Sequence, residues 1–482
     1  MGAQKKELAR LVSFRFRCQR VFIKNMSFAL TALVSMLVVL GIMVLVHEFG
    51  HFAVAKFFGV RVEVFSIGFG KRLFGFRRGD TDYRISLLPL GGYVKMSGET
   101  PGEARTGDPG EFSSHPRWQR ILIGLAGPVA NFLLAFVLMA GLYMMHNEVP
   151  NYMSSPAVTD IVPPDTPAAR AGVQPGDRIV RFDTDTNPTW EQVGMRAALD
   201  ANSYVPVTVE RMVNGQPQHV NLELYIADPS KGQDFELESV GLLPRVQNGP
   251  LGVRDVMPGN PAERAGLKAG DAIISINGQL VHSVAAVMAV LQETNGKAVN
   301  LVVQRGSQTL AMNATPIWGD DGTGRMGYRL GFHPALAPFH VEQLPLLKAV
   351  KESIHVNLRY SGLIIDVLKR LVSHRSNVQQ LSGPIGIARE TGEAVTAPGW
   401  QPIIGTMALI SLNLGIFNLL PIPILDGGMI LLLLIEGVLR RDLNQEFKER
   451  VYQVAFVVLV LFAAFVMFND VAKLNILSKL KP

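Results

Sequence analysis

One cysteine, Cys18, stands among 482 residues. A single thiol makes no intramolecular disulfide and cannot give a metal two ligands, so a disulfide framework and a Cys-based zinc site are both excluded. Charge is scarce as well. Charged residues are 18% of the chain and hydrophobic ones 48%, with a mean hydropathy of +0.22. That balance excludes a disordered or fibrous chain and argues against an ordinary soluble enzyme. The net charge of +6 reports juxtamembrane cations in such a chain, and no nucleic acid is expected as a partner.

Charge is missing altogether from four runs: 27–46, 121–145, 402–425 and 451–469. A bilayer core needs about 20 apolar residues in a helix, so all four read as transmembrane helices. The third contains Pro421 and Pro423, which predicts a kink or local unwinding. Broken backbone at membrane depth survives only inside protein or beside a wet cavity, which marks this run as a candidate functional site. No small-residue cleavage site follows the first run, so a cleaved signal peptide is not expected.

Short loops rich in Lys and Arg face the cytoplasm. The loop 439–450 carries Arg440, Arg441, Lys448 and Arg450. Between the first two runs lie Lys56, Arg61, Lys71, Arg72, Arg77, Arg78 and Arg84. Both segments are therefore placed in the cytoplasm, and the long stretch between the second and third runs on the other side. The tail 1–26 disagrees, with Lys5, Lys6, Arg10, Arg15, Arg17, Arg20 and Lys24. Two readings stand: translation starting at Met26, or an amphipathic surface segment in which Leu11, Phe14, Phe16, Val21 and Phe22 interleave with the charges.

The long stretch contains a repeat. Thr166-Pro-Ala-Ala-Arg-Ala-Gly-Val-Gln-Pro-Gly-Asp177 recurs 94 residues later as Asn260-Pro-Ala-Glu-Arg-Ala-Gly-Leu-Lys-Ala-Gly-Asp271. Strand-like runs follow each copy, at 178–182 and 272–278, then at 205–213 and 299–304. Asn214-Gly215 signals a hairpin. The unit resembles a PDZ domain in its permuted bacterial form, giving two α+β domains over 147–246 and 247–335. PDZ domains capture extended peptides by strand addition. Val240-Gly-Leu-Leu243 and Tyr328-Arg-Leu-Gly-Phe332 are candidate carboxylate loops; the other reading makes the grooves vestigial bulk.

His47-Glu48-Phe49-Gly50-His51 is the central motif. Residues four apart share a helix face, so two imidazoles can ligate one Zn²⁺ while the Glu between them acts on a water. Asp426, the only ionised group between 402 and 435, is the candidate third ligand. The bland alternatives are a wetted helix end at 47–51 and an ordinary kink beside Asp426.

With His-Glu-x-x-His in the first run, Gly127-Pro-Val-Ala-Asn131 in the second and Asn418-x-x-Pro-x-Pro-x-Leu-Asp-Gly427 in the third, the chain resembles the site-2 protease family of intramembrane zinc metalloproteases. The resemblance runs from about Met26 to the C-terminus. It implies His47, His51 and Asp426 as zinc ligands, Glu48 as general base, and substrate or framework roles for Asn131 and Asn418. It implies single-span membrane substrates, namely an anti-sigma factor after a first periplasmic cut and remnant signal peptides. The PDZ pair would act as a size filter. The setting is the bacterial inner membrane, with the PDZ domains periplasmic, the active site near the cytoplasmic side, and membrane lipids and PDZ peptide ligands as partners.

The expected architecture is a polytopic α-helical membrane protein of four transmembrane helices, with a membrane-associated β-hairpin region and two inserted PDZ domains. In chain order this gives the tail 1–26, first span 27–58, hairpin region 59–120, second span 121–146, the two PDZ domains, and an amphipathic helix and linker 336–400. The third segment 401–438, the cytoplasmic loop 439–450, the fourth span 451–470 and a tail 471–482 follow. Val62–Ile67 and Tyr83–Leu88 read as hairpin strands whose edge, continuing through Leu90–Lys95, is placed to pair with an unwound substrate. The helix over 344–372 reads as lying on the outer surface or packing on the second repeat. Two other classes compete: a membrane-anchored PDZ adaptor with a structural or inactive metal site, and a zinc or proton transporter, against which the lack of an inverted repeat counts.

Overall fold

The computed structural model describes residues 2–99, 107–145, 147–200, 202–227, 237–320, 326–372 and 383–473. The chain forms two compact units, one of residues 1–147, 343–369 and 379–482, the other of 148–342 with 370–378.

The first unit opens with helix α1 (Gly2–Phe57), which carries the basic tail and the first apolar run as one helix. Strands β1 (Val62–Arg78) and β2 (Thr81–Met96) follow, then α2 (Arg117–Met144). After the insert come α3 (Leu346–Val372), α4 (Pro384–Thr396), α5 (Gln401–Asn418), α6 (Asp426–Leu439) and α7 (Gln445–Lys473). Among the described residues, three helices are long and apolar enough to cross a membrane: Phe28–Phe57, Arg117–Met144 and Gln445–Val471.

The third predicted span is not one helix. α5 stops at Asn418 and α6 starts at Asp426, with tight turns between them, Ile422 N–H to Leu420 O at 2.7 Å and Leu425 N–H to Ile422 O at 2.8 Å. Pro421 and Pro423 lack an N–H and hold the residues before them out of the helical region. Gly427 and Gly428 let the first turn of α6 lie on this loop: a Cβ would come within 2.2 Å of Leu419 O and of Ile422 O respectively.

Small residues also bring the helices together. A Cβ at Gly50 of α1 would stand 2.3 Å from Ala126 O of α2. Ser411 of α5 donates to Asn131 O of α2 at 2.9 Å. α3 is anchored on other helices of the first unit. Ser353 donates to Phe136 O of α2, and Val356 is buried with Met139 and Ala408, so its inner face lies on α2 and α5. A stripe of small and apolar residues decides this, and its charged side is left outside.

The hairpin strands are longer than predicted, because β-bulges carry the pairing past the glycines. Val64 pairs with both Lys95 and Asp82, and Ser66 with both Tyr93 and Arg84, while Arg72 to Arg78 pair with Ser86 to Thr81. The start of β1 therefore lies between two stretches of β2, and residues 92–96 form one border of the sheet.

The second unit contains both repeats. In the first, Arg178–Phe182, Ser203–Val213 and Gln216–Ile226 make an antiparallel sheet against the helix Trp190–Leu199. In the second, Ala272–Ile276, Val299–Arg305 and Gln308–Ala314 do so against Val284–Glu293, with Leu251–Val256 and Phe332–Pro334 extending the sheet. Asn214 and Gly215 both take left-handed φ, 52° and 77°, as a two-residue hairpin turn requires. The repeated Asp anchors each copy: buried Asp177 takes two bonds from Arg211, and buried Asp271 two from Arg305. Each Arg also reaches the carbonyl of its repeat's helix-ending glycine, Gly172 or Gly266.

Both candidate carboxylate loops meet the start of a repeat's short helix. A Cβ at Gly241 would stand 2.2 Å from Thr166 Oγ1, and one at Gly331 2.3 Å from Asn260 Cβ. Residues 381–382 of the segment before α4 lie outside the described residues. From Gly383 the segment is held by Asp470 of α7, whose buried carboxylate accepts from the N–H groups of Gly383, Ile385 and Gly386 at 2.9, 3.0 and 3.3 Å. That is a helix N-terminus satisfied by an anion.

Candidate metal centre

α1 puts His47 and His51 on one face, and both are buried. Their Nε2 atoms lie 3.2 Å apart. The loop between α5 and α6 delivers Asp426 opposite them, with Oδ2 3.1 Å from His47 Nε2 and Oδ1 3.5 Å from His51 Nε2. Bonds of 2.0–2.1 Å in tetrahedral geometry place neighbouring ligand atoms about 3.3 Å apart, the spacing seen here. Among the described residues this is the group of His, Cys, Asp and Glu side chains that could hold a metal.

The surroundings orient the same lone pairs. His51 Nδ1 lies 2.7 Å from Ile123 O of α2. A carbonyl only accepts, so Nδ1 carries the proton and Nε2 presents its lone pair to the centre. Asn131, fully buried, lies 3.1 Å from His47 Nδ1, and its Oδ1 has no partner. Turning that amide end for end lets Oδ1 accept the proton of Nδ1, which leaves His47 Nε2 free as well. Asp426 Oδ2 is likewise buried without a hydrogen-bond partner. A cation satisfies all three atoms at once. Gly127 makes the room, since a Cβ there would stand 2.2 Å from His51 Nε2 and 2.8 Å from His47 Cε1.

Glu48 is half-buried beside the two histidines, and its Oε2 accepts from Val94 N–H of β2 at 3.0 Å. Asn418, the last residue of α5, points its amide at His47 Nε2 from 3.4 Å. The six residues singled out from sequence thus meet in one place. Sequence reasoning missed the backbone partners, Ile123 O and Val94 N–H, which no side-chain pattern reports. Gly127 was within reach of it, since it precedes Asn131 by four and shares its helix face.

Converging ligand atoms, a neighbouring carboxylate and apolar helices of spanning length define a metal-dependent hydrolase of the membrane. The chain belongs to peptidase family M50, which matches residues 35–462. It is 33% identical over 458 residues to the Regulator of sigma-E protease RseP of Escherichia coli, covering 92% of this chain and 98% of that one. A Vibrio cholerae relative, whose name includes the words zinc metalloprotease, is 32% identical over 458 residues, with 92% and 98% covered. A solved PDZ domain of an SdrC-like protein from Listeria monocytogenes is similar over 18% of this chain and 90% of its own, at 19% identity and a TM-score of 0.16. The protein is a zinc metalloprotease and a regulated intramembrane protease.

Proposed function

We propose that His47, His51 and Asp426 hold the zinc, that Glu48 is the general base, and that the enzyme cuts single-span proteins within the bacterial inner membrane. The observation that carries this reading is the convergence of His47 Nε2, His51 Nε2 and the Asp426 carboxylate, with 3.1, 3.2 and 3.5 Å between them. When bound, Zn²⁺ acts as a Lewis acid and lowers the pKa of a water from 15.7 to about 7. Glu48 takes the proton from the attacking water and passes it to the leaving amine. Val94 N–H holds one carboxylate oxygen, Oε2, so that Oε1 faces the reaction. Asn131 fixes the His47 ring. Asn418, on the open side, donates to the developing oxyanion of the scissile carbonyl.

A helical substrate hides its carbonyls and must unwind. The border strand 92–96, next to Glu48, is the place where an extended substrate adds to the sheet. Residues 147–246 and 247–335 act as two periplasmic PDZ domains that exclude uncut ectodomains. The substrates are an anti-sigma factor after a first cut outside, and remnant signal peptides.

Cleavage of a single-span test substrate in detergent decides the catalytic reading. Wild type should cut, while Glu48→Gln and chelated wild type should not; cutting that persists in the Gln variant removes Glu48 from the chemistry. Deleting 158–315 tests the filter, and a deletion enzyme that still spares the full-length substrate would sink it.

A further inference from the structure

We propose that the hairpin turn carrying Arg77 and Arg78 is a docking site for the phosphate of an anionic phospholipid. The sheet lies along the C-terminal part of α1. At one end Thr81 Oγ1 donates to Val62 O at 2.7 Å, level with the end of the helix. At the other, a Cβ at Gly91 would stand 3.3 Å from Val44 Cγ1. From Val44 to Phe57 the helix rises about 20 Å, so the sheet runs from the helix end up to the last turn of its apolar run.

Its outward side chains follow the same axis. Toward the deep end stand Phe69, Leu87 and Leu88, at 43, 55 and 50% exposure, and Phe74 at 73%. A contiguous exposed apolar patch marks a protein or membrane contact. Successive strand residues point to opposite faces. Past the bulge at Leu73, Phe74 and Phe76 therefore share a face with Arg78. That face reads apolar toward the deep end and cationic at the helix end, the order of acyl chain then phosphate in a lipid. The neighbouring cations are engaged, Arg72 and Arg84 by Asp82 at 3.2 and 3.8 Å. Arg77 and Arg78 are exposed and have no ion pair among the described residues. Asp80 in the same turn offsets one of the two charges, and Lys71, at the deep end, is out of this order. Guanidinium forks match phosphate geometry.

The test uses the full chain in nanodiscs of phosphatidylcholine, doped either with phosphatidylglycerol or with phosphatidylcholine carrying a photoactivatable headgroup. Adducts are mapped by mass spectrometry. Labelling of residues 76–82 should be at least about fivefold greater from the anionic lipid. In Arg77→Gln/Arg78→Gln it should fall to the zwitterionic level, while labelling at Arg440–Arg441 stays unchanged and shows the variant folded. Millimolar inorganic phosphate should not compete. Equal labelling by the two lipids, full labelling in the double variant, or displacement by free phosphate would each overturn the proposal. None of these readings depends on catalysis, so a failed protease assay leaves them intact.

Discussion

Val94 donates its backbone N–H to Glu48 across 3.0 Å, joining the border strand of the hairpin to the carboxylate between two histidines. A hydrogen bond to a charged group contributes about 1.5–3 kcal/mol, so it fixes one rotamer of a side chain that must move a proton. Val94→Pro removes this donor at a sheet border, where proline is tolerated. The expected result is a kcat roughly 10-fold lower with zinc content unchanged. An unaltered kcat in single-turnover cleavage would show that the strand does not position the base.

The site was legible where chemistry is local and hidden where it is spatial. His47 and His51 announce themselves by spacing, and Asp426 by its isolation in an apolar run. The prolines before Asp426 forecast a break, but not that Gly427 and Gly428 would let the break fold back against α6. Nothing in sequence paired Asp470 with the turn at Gly383, because a buried carboxylate one residue beyond an apolar run looks like a helix end. The contact of α3 with α2 and α5 was not legible, because an amphipathic pattern says that a face is covered, not by what.

Metal content separates ligands from base. Glu48→Gln should keep about one zinc per chain and lose turnover by about 10²–10⁴. Asp426→Asn should lose zinc as well, since the amide removes the one negative charge of the ligand set and leaves two neutral imidazoles. Metal analysis of both purified variants checks this; full zinc in Asp426→Asn would remove that residue from the centre.

Gly127→Ala is the smallest change that reaches the centre. Alanine normally favours a helix by up to about 1 kcal/mol over glycine. Here its Cβ would stand 2.2 Å from His51 Nε2, and the ring must give way. Overpacking costs about 1–3 kcal/mol, and the displaced nitrogen no longer meets Asp426. The variant should fold, bind zinc weakly and cut poorly. A Gly127→Ala enzyme with full zinc and activity would mean that the histidines have more room than this packing leaves.

Arg305 holds Asp271 below the usual carboxylate range, first through their hydrogen bonds, with the backbone N–H of Lys268 adding to the effect. A depressed carboxyl contributes stability that is present above its unfolded pKa, about 3.9, and is lost as pH falls through the lower folded value. The second unit should therefore weaken in acid below about pH 4. Arg305→Met leaves Asp271 buried without its partner and should cost about 2–3 kcal/mol at pH 7. Asp271→Asn should flatten that acid limb. Hydrogen exchange of the strands Ala272–Ile276 and Val299–Arg305 in the full chain, followed from pH 7 to pH 3, reads both effects. Equal acid weakening in wild type and Asp271→Asn would assign it to other carboxylates.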